Sequence, residues 1–389
     1  MLTRLKIENF KALKDIDLAL RQRNVFIGPN KSGKSSILQA LQVLTHLMNA
    51  KDVTTGLGGE LGFQQWLWKG SSDSEIRISI WGDDRPSDTD LERIEFRYSI
   101  HFGLVAMKSL CIINEFLAAK VQGYENEKVL VQSRMGTGTA NRANGDILFQ
   151  NPGTNVRPFL SYELPGWEGN QVRSYIAKWQ FFDLVPELPK VTAATPSAQS
   201  FLEVQGSNLS SWLHTFQSNH PEEFRRIVAV AREAFPEIES ITVPVSQSGT
   251  TFISTKEKGL RSPISLSHLS SGEIKFLQLL SIIFSPYPVS LVAIEEPENN
   301  LHPRLLQLLI ETYDRVRIEV GDAAAQVFVT THSPYLVDLM QPEDVVIVEK
   351  RDGATSCVRA EDKHDLKRMM EESEMSFGRL WYSGALGGV

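Results

Sequence analysis

Asn24 to Ser36, Asn-Val-Phe-Ile-Gly-Pro-Asn-Lys-Ser-Gly-Lys-Ser-Ser, decides how the whole chain is read. Within it, Gly28 to Ser35 matches the pattern G-x-x-x-x-G-K-[ST] in full, and its flanks agree with the mechanism behind that pattern. Val25-Phe26-Ile27 reads as a short buried strand, and Ser36 to Leu44 carries apolar residues at helical spacing. A loop that closes over a polyphosphate needs glycines where the backbone curls, so that successive N–H groups can face the phosphate oxygens. Gly28 and Gly33 supply that freedom, and the loop residues Asn30, Lys31, Ser32, Gly33, Lys34, Ser35 and Ser36 form the expected cradle. Lys34 is expected to reach the terminal phosphates, the Ser35 hydroxyl to ligate Mg²⁺, and the helix N-terminus to add its partial positive charge. Four fixed positions arise by chance about once in a hundred chains of this length. With both flanks correct, a glycine turn that merely starts a helix is the weaker reading.

A second group of signals lies far downstream. Leu269-Ser-Ser-Gly-Glu273 precedes an apolar helix, Ile274 to Phe284, which Ser270 or Ser271 can also cap. Val289 to Ile294 is an unbroken apolar and small run that fits a buried parallel strand, and it delivers Glu295-Glu296-Pro297-Glu298 at its C-terminal end. Adjacent carboxylates at a strand end point to two sides, so one can face a metal and its neighbour a water. Gln326 to Thr331 is a further buried strand ending at His332-Ser-Pro, and Val345 to Glu349 another. The sheet is thus expected to be assembled from both ends of the chain.

Bulk composition sets the class. The chain has 389 residues, 42% hydrophobic and 22% charged, enough for two or three domain-sized units. Cys111 and Cys357 lie far apart with no CxxC pair, so neither a disulfide framework nor a zinc knuckle is indicated. The start lacks the apolar core of a signal peptide and no window approaches a membrane span, so a cytoplasmic protein without membrane partners is expected. A net charge of −7 argues against a surface basic all over, while a local basic groove stays open.

Along the chain, Leu2 to Phe10 and Ile16 to Leu20 alternate as strands, as do Glu75 to Ile80 and Arg93 to Ile100, expected as meander strands with one wet face. Gly56 to Gly62 reads as loop, and from Val121 to Gly169 the composition turns to Gly, Asn, Thr and Ser and reads as loop too. Val172 to Phe182, Asn208 to Phe216 and Pro221 to Phe235 read as helices, the last with Pro221 in its first turn and Glu222 and Glu223 at its positive end. The expected division is residues 1–120 and 261–350 as the two parts of one α/β P-loop domain, 121–260 as an inserted, loop-rich and then mostly helical lobe, and 351–389 as a tail.

The ordered set Ile7-Glu-Asn-Phe10, Gly28 to Ser36, Leu269 to Glu273, Ile294 to Glu298 and Thr331-His332-Ser-Pro334 resembles the ATP-binding-cassette (ABC) ATPases, in the RecF, SMC and OLD-like branch of stand-alone AAA-family ATPases. The motif-bearing segments cover about half of the chain. The resemblance implies ATP and Mg²⁺ as cofactors, with a mixed sheet, flanking helices and an inserted lobe. By position it gives Lys34 the phosphate contact, Ser35 and Glu295 the metal side, Glu296 the general base and His332 the γ-phosphate switch. Glu295 stands where most of the superfamily has aspartate. Ser270, Gly272 and Glu273 match the signature that completes the partner's site, with Ser271 in place of the usual first glycine. Gln64 or Gln65 matches the Q-loop glutamine on the metal side, and spacing does not separate them.

The implied assembly is a homodimer with ATP at the interface. Three roles share these motifs: a regulatory or defence ATPase acting on a separately encoded effector, a RecF-like or SMC-like DNA-maintenance ATPase, and a transporter subunit. The long interval between Lys34 and Ser270 disfavours the transporter, and the absence of heptads leaves DNA an open partner only. OLD-like relatives often continue into a Toprim nuclease, yet fewer residues follow Glu349 than the roughly 50 a domain needs. The tail then reads as a strand over Ser356 to Arg359 and a charged helix over His364 to Glu372, with Glu361-Asp362 a solvated loop, and no nuclease activity is expected.

Overall fold

The computed structural model describes residues 1–389 apart from 50–51, 58, 71–72, 85–92, 106–108, 154–156, 193, 288, 364–368, 371–372 and 385–389. Three strands open the chain, β1 (Leu2–Phe10), β2 (Leu13–Ala19) and β3 (Arg23–Ile27), followed by the helix Lys34–Asn49. β4 (Glu75–Asp84), β5 (Ile94–Val105), β6 (Ser109–Lys120), β7 (Lys128–Arg134), β8 (Thr137–Asn141) and β9 (Ile147–Asn151) come next. They extend β1 and β2 into an eight-stranded sheet of order β2-β1-β4-β5-β6-β7-β8-β9, antiparallel at each pairing.

β10 (Trp179–Phe182) precedes the helices Leu209–Asn219 and Pro221–Ala234, and β11 (Ile238–Thr242), β12 (Ser254–Glu257) and β13 (Ile264–Ser265) make a small antiparallel sheet. After the helix Ser271–Ile283 come β14 (Leu291–Glu295), β15 (Gln326–Thr331), β16 (Val345–Arg351) and β17 (Ala354–Arg359). These join β10 and β3 in the order β10-β14-β15-β3-β16-β17, parallel except for the β16–β17 hairpin. β3 therefore sits between two strands that lie some 300 residues later.

The helix Lys34–Asn49 lies between the two large sheets. Its residues Ile37, Leu41 and Leu44 share one core with Ile76, Ile78 and Ile80 of β4 and with Phe26, Phe328 and Val346 of the parallel sheet. That explains why the helix is apolar on two sides and why β3 is an unbroken buried run. Phe26 and Phe328 stack across β3 and β15 with ring centroids 5.9 Å apart. Each such ring removed from water contributes about 1.5–3 kcal/mol. At the seam between the sheets, buried Gln326 accepts from the Leu2 N–H (2.8 Å) and donates to the carbonyls of Leu2 (2.9 Å) and Arg21 (2.6 Å). One side chain thus satisfies backbone groups that neither ladder reaches.

Three expectations are corrected here. Residues 128–151 are largely strands rather than loop: Gly136 and Gly145 belong to the hairpin turns, at positive φ of 78° and 96°, and Gly138 sits with the threonines on β8. The helix predicted over 172–182 is Gly169–Ala177, and Phe181 and Phe182 belong to β10, the edge strand beside β14. The described residues of 121–260 therefore carry three strands before their first α-helix, and they lend β10 to the parallel sheet. Gly59–Trp66 forms a helix where a loop had been expected up to Gly62. The charged helix expected over 364–372 lies largely outside the described residues, whereas the strand expected at 356–359 is part of β17.

Candidate functional site

The Gly28–Ser35 loop leaves the C-terminal end of β3 and runs into the helix that begins at Lys34. Its glycines are required by close approach. A Cβ on Gly28 would lie 2.0 Å from the Val348 carbonyl oxygen, and one on Gly33, whose φ is +113°, would lie 2.3 Å from Thr355 Oγ1. Thr355 in turn donates to the Ser32 carbonyl (2.7 Å), so the loop is braced from outside by β17. Lys34 is buried, and among the described residues no carboxylate lies within ion-pair reach of it. Its ammonium donates to the loop's own carbonyls of Gly28 (2.8 Å) and Pro29 (3.0 Å). Burial brings its pKa down to about 8, against the opposing pull of Glu296, Glu298 and Glu295.

β14 and β15 end beside this loop. Ser35 donates from its hydroxyl to the Glu295 carboxylate, which burial pushes upward and the Ser35 bond pulls down. Glu296 turns the other way. Its φ of +43° is uncommon for a side-chain-bearing residue and is held by its N–H on the Thr330 carbonyl (3.0 Å) and by Asn299 Nδ2 on its carboxylate (2.8 Å). The ring of His332 comes 3.4 Å from the Glu296 carboxylate, and burial and Lys34 lower its pKa. The pair Glu295–Glu296 is thus split between Ser35 and His332, as the sequence predicts for carboxylates at a strand end.

Ser270 caps the helix Ser271–Ile283, accepting from the Glu273 N–H (3.2 Å) while Glu273 accepts from the Ser270 N–H (2.8 Å). It is exposed, and no hydrogen bond joins it to the phosphate loop of its own chain. A Cβ on Gly272 would meet the Asn300 carbonyl at 2.9 Å, which places the signature against the turn after Glu298. Gln64 and Gln65 are exposed on the helix Gly59–Trp66, and neither side chain bonds to Ser35 or Glu295.

Three residues at the site escaped the sequence reading. Asp183 directly follows β10, whose register pairs Phe182 with Ile294, so it stands beside Glu295 and helps push that carboxyl upward. Lys11, in left-handed conformation after β1, donates to Gln39 (2.6 Å), lies 4.7 Å over the Trp66 ring and acts electrostatically on Glu295. Lys275 is 2% exposed, donates to the Leu184 carbonyl (3.2 Å) and is lowered by burial to about 8 while Asp183, Glu298 and Glu296 oppose. A lone Asp after Phe-Phe or a Lys in an apolar helix gives no signal until strand register brings it to the site.

The donor set suits a magnesium nucleotide. A buried lysine held by its own loop's carbonyls and a backbone curl with no room for a Cβ suit a polyphosphate, and the Ser35–Glu295 oxygens suit a hard divalent cation.

Comparison with known proteins agrees with this fold. Residues 1–132 match the family described as "AAA ATPase domain", and residues 181–338 match "AAA domain, putative AbiEii toxin, Type IV TA system". The OLD nuclease of Thermus scotoductus is 24% identical over 392 residues, covering 94% of this chain and 66% of the relative. The DNA replication and repair protein RecF of Vibrio vulnificus is 45% identical over 56 residues, 14% of this chain and 16% of RecF. The chain therefore spans under two thirds of the length of these relatives. An SMC head bound to the C-winged helix domain of ScpA superposes with a TM-score of 0.55 at 13% identity, covering 92% of this chain and 97% of that one. The head with an extended coiled coil from Pyrococcus furiosus gives 0.52 at 11%, covering 96% and 99%. Fold and loop define a P-loop NTPase of ABC type. Within that class both ends of the chain match AAA-family ATPase domain models, and the chain is similar to OLD nuclease and RecF in sequence and to SMC heads in fold.

Proposed function

We propose that the chain binds Mg²⁺–ATP, hydrolyses it, dimerises on it and so controls a separately encoded effector in anti-phage defence or genome protection. The observation that carries the reading is the meeting of Lys34, Ser35, Glu295, Glu296 and His332 at the ends of three adjacent strands drawn from both halves of the chain. Phosphoryl transfer asks for positioning and charge more than covalent chemistry. Lys34 and the loop N–H groups hold the phosphates. Ser35 and Glu295 hold Mg²⁺, which when bound neutralises phosphate charge, and Asp183 replaces Gln65 as the further carboxamide-or-carboxylate position on that side. Glu296 orients the attacking water and accepts its proton, and His332 keeps Glu296 and the terminal phosphate in register. Ser270 and Gly272 act across a two-fold axis on the partner's nucleotide.

In this reading residues 1–120, β10 and 261–350 form the ATPase unit, with the rest of 121–260 inserted and 351–389 as a tail. The decisive pair of variants is Lys34→Ala and Glu296→Gln. The first abolishes ATP binding; the second keeps binding and loses turnover by at least a hundredfold, because the cradle stays intact while the water loses its base. Wild-type hydrolysis by Glu296→Gln would overturn the assignment. The RecF match supports one alternative, a DNA-maintenance ATPase, and ATP turnover stimulated severalfold by duplex DNA would favour it.

A further inference from the structure

Glu298 belongs to no role assigned so far, yet it ties the turn after β14 to the end of β15. Its Oε1 accepts from the Thr331 hydroxyl (2.6 Å) and from the His332 backbone N–H (2.9 Å). Thr331 Oγ1, its proton committed to Glu298, accepts in turn from the Ser333 N–H (3.0 Å). Three consecutive residues are thereby fixed by one carboxylate oxygen. The other oxygen, Oε2, is buried and has no hydrogen-bond partner among the described residues, and both Lys34 and Lys275 feel the charge of this group.

We propose that Glu298 is the positioning residue for His332: it clasps the backbone of the switch segment and so keeps the imidazole against Glu296. The role rests on the ATPase reading. Glu298 does not contact the reacting atoms; it acts through the Thr331–Ser333 backbone. Its loss therefore affects the transition state more than nucleotide affinity.

The test uses the full chain with two readouts, one of which needs no turnover. Labelling the eight histidines with ¹⁵N gives eight backbone amides, and His332→Gln assigns the relevant one. In Glu298→Ala the His332 amide should exchange at least tenfold faster and kcat should fall at least tenfold, with the Kd for ATP within threefold of wild type. Glu298→Gln keeps an acceptor oxygen and should recover most of both losses; Thr331→Val, which removes one of the two donors, should fall between. Combining Glu298→Ala with His332→Ala should cost no more than His332→Ala alone. An unchanged exchange rate in Glu298→Ala overturns the clasp. Faster exchange with unchanged kcat, or losses that multiply in the double variant, overturns the positioning role. A wild type that fails to turn over ATP refutes the ATPase reading instead, and the exchange rate still decides whether the clasp exists.

Discussion

Lys34 carries the strongest electrostatic consequence at a single position. Its pKa of about 8 in the free protein means that above pH 8 the ammonium gives up its proton, whereas a bound polyphosphate calls for the charged form. Binding then takes up a proton, and the Kd for ATP rises as pH climbs above 8, approaching tenfold per unit. Calorimetry in buffers of different ionisation enthalpy reads that uptake directly. Lys34→Arg does not titrate in this range, so the slope should vanish in that variant even if its affinity is lower. At this scale the sequence was informative where chemistry is written as a contiguous motif: Gly28 to Ser35, Glu295-Glu296 and Thr331 to Pro334 all meet at one place. It was silent about Asp183 and Lys11, because strand register and a left-handed turn bring them to Glu295 rather than any spacing along the chain.

Among the elements, the turn at Phe159–Ser161 depends on a buried acid. Glu115 on β6 accepts from the Tyr98 hydroxyl (3.0 Å) and from the N–H groups of Phe159 (2.6 Å) and Leu160 (2.9 Å). Burial nevertheless raises it from the usual 4.5 to about 7. The folded state then holds this proton more tightly than the unfolded chain, so the stability it contributes is complete below pH 4.5 and is lost as pH rises through 7. Denaturant midpoints between pH 4.5 and 7 should fall in the wild type and flatten in Glu115→Gln, whose amide does not titrate. A slope that persists in the variant would place the titration elsewhere. β7, β8 and β9 show why this region misled the sequence reading. Hairpins spend glycine and asparagine on turns, and short strands with one wet face carry threonine and serine, so composition imitates loop. The parallel strands were legible for the opposite reason: covered on both faces, they read as unbroken apolar runs.

For the whole molecule, Ser270 is exposed and makes no hydrogen bond to the phosphate loop of its own chain, which suits the proposed dimer in which it meets the nucleotide of a second copy. Sedimentation of Glu296→Gln should show a dimer with ATP and a monomer without it, and Ser270→Arg should bind ATP yet stay monomeric. A monomer in both conditions alongside full wild-type turnover would defeat the dimer. The order of strands has a consequence for the ribosome. The strand that feeds the phosphate loop emerges among the first 30 residues, but its two sheet neighbours, β15 and β16, are not complete until residues 331 and 351 have been made. During most of translation an apolar strand waits with both edges unpaired, a state that invites aggregation and holdase chaperones. The antiparallel meander, built from neighbours in sequence, can form long before. Nascent chains arrested before β15 should present a folded meander beside a nucleotide loop with no sheet to hold it, so ATP competence appears late and all at once as the last strands slot in on either side of β3.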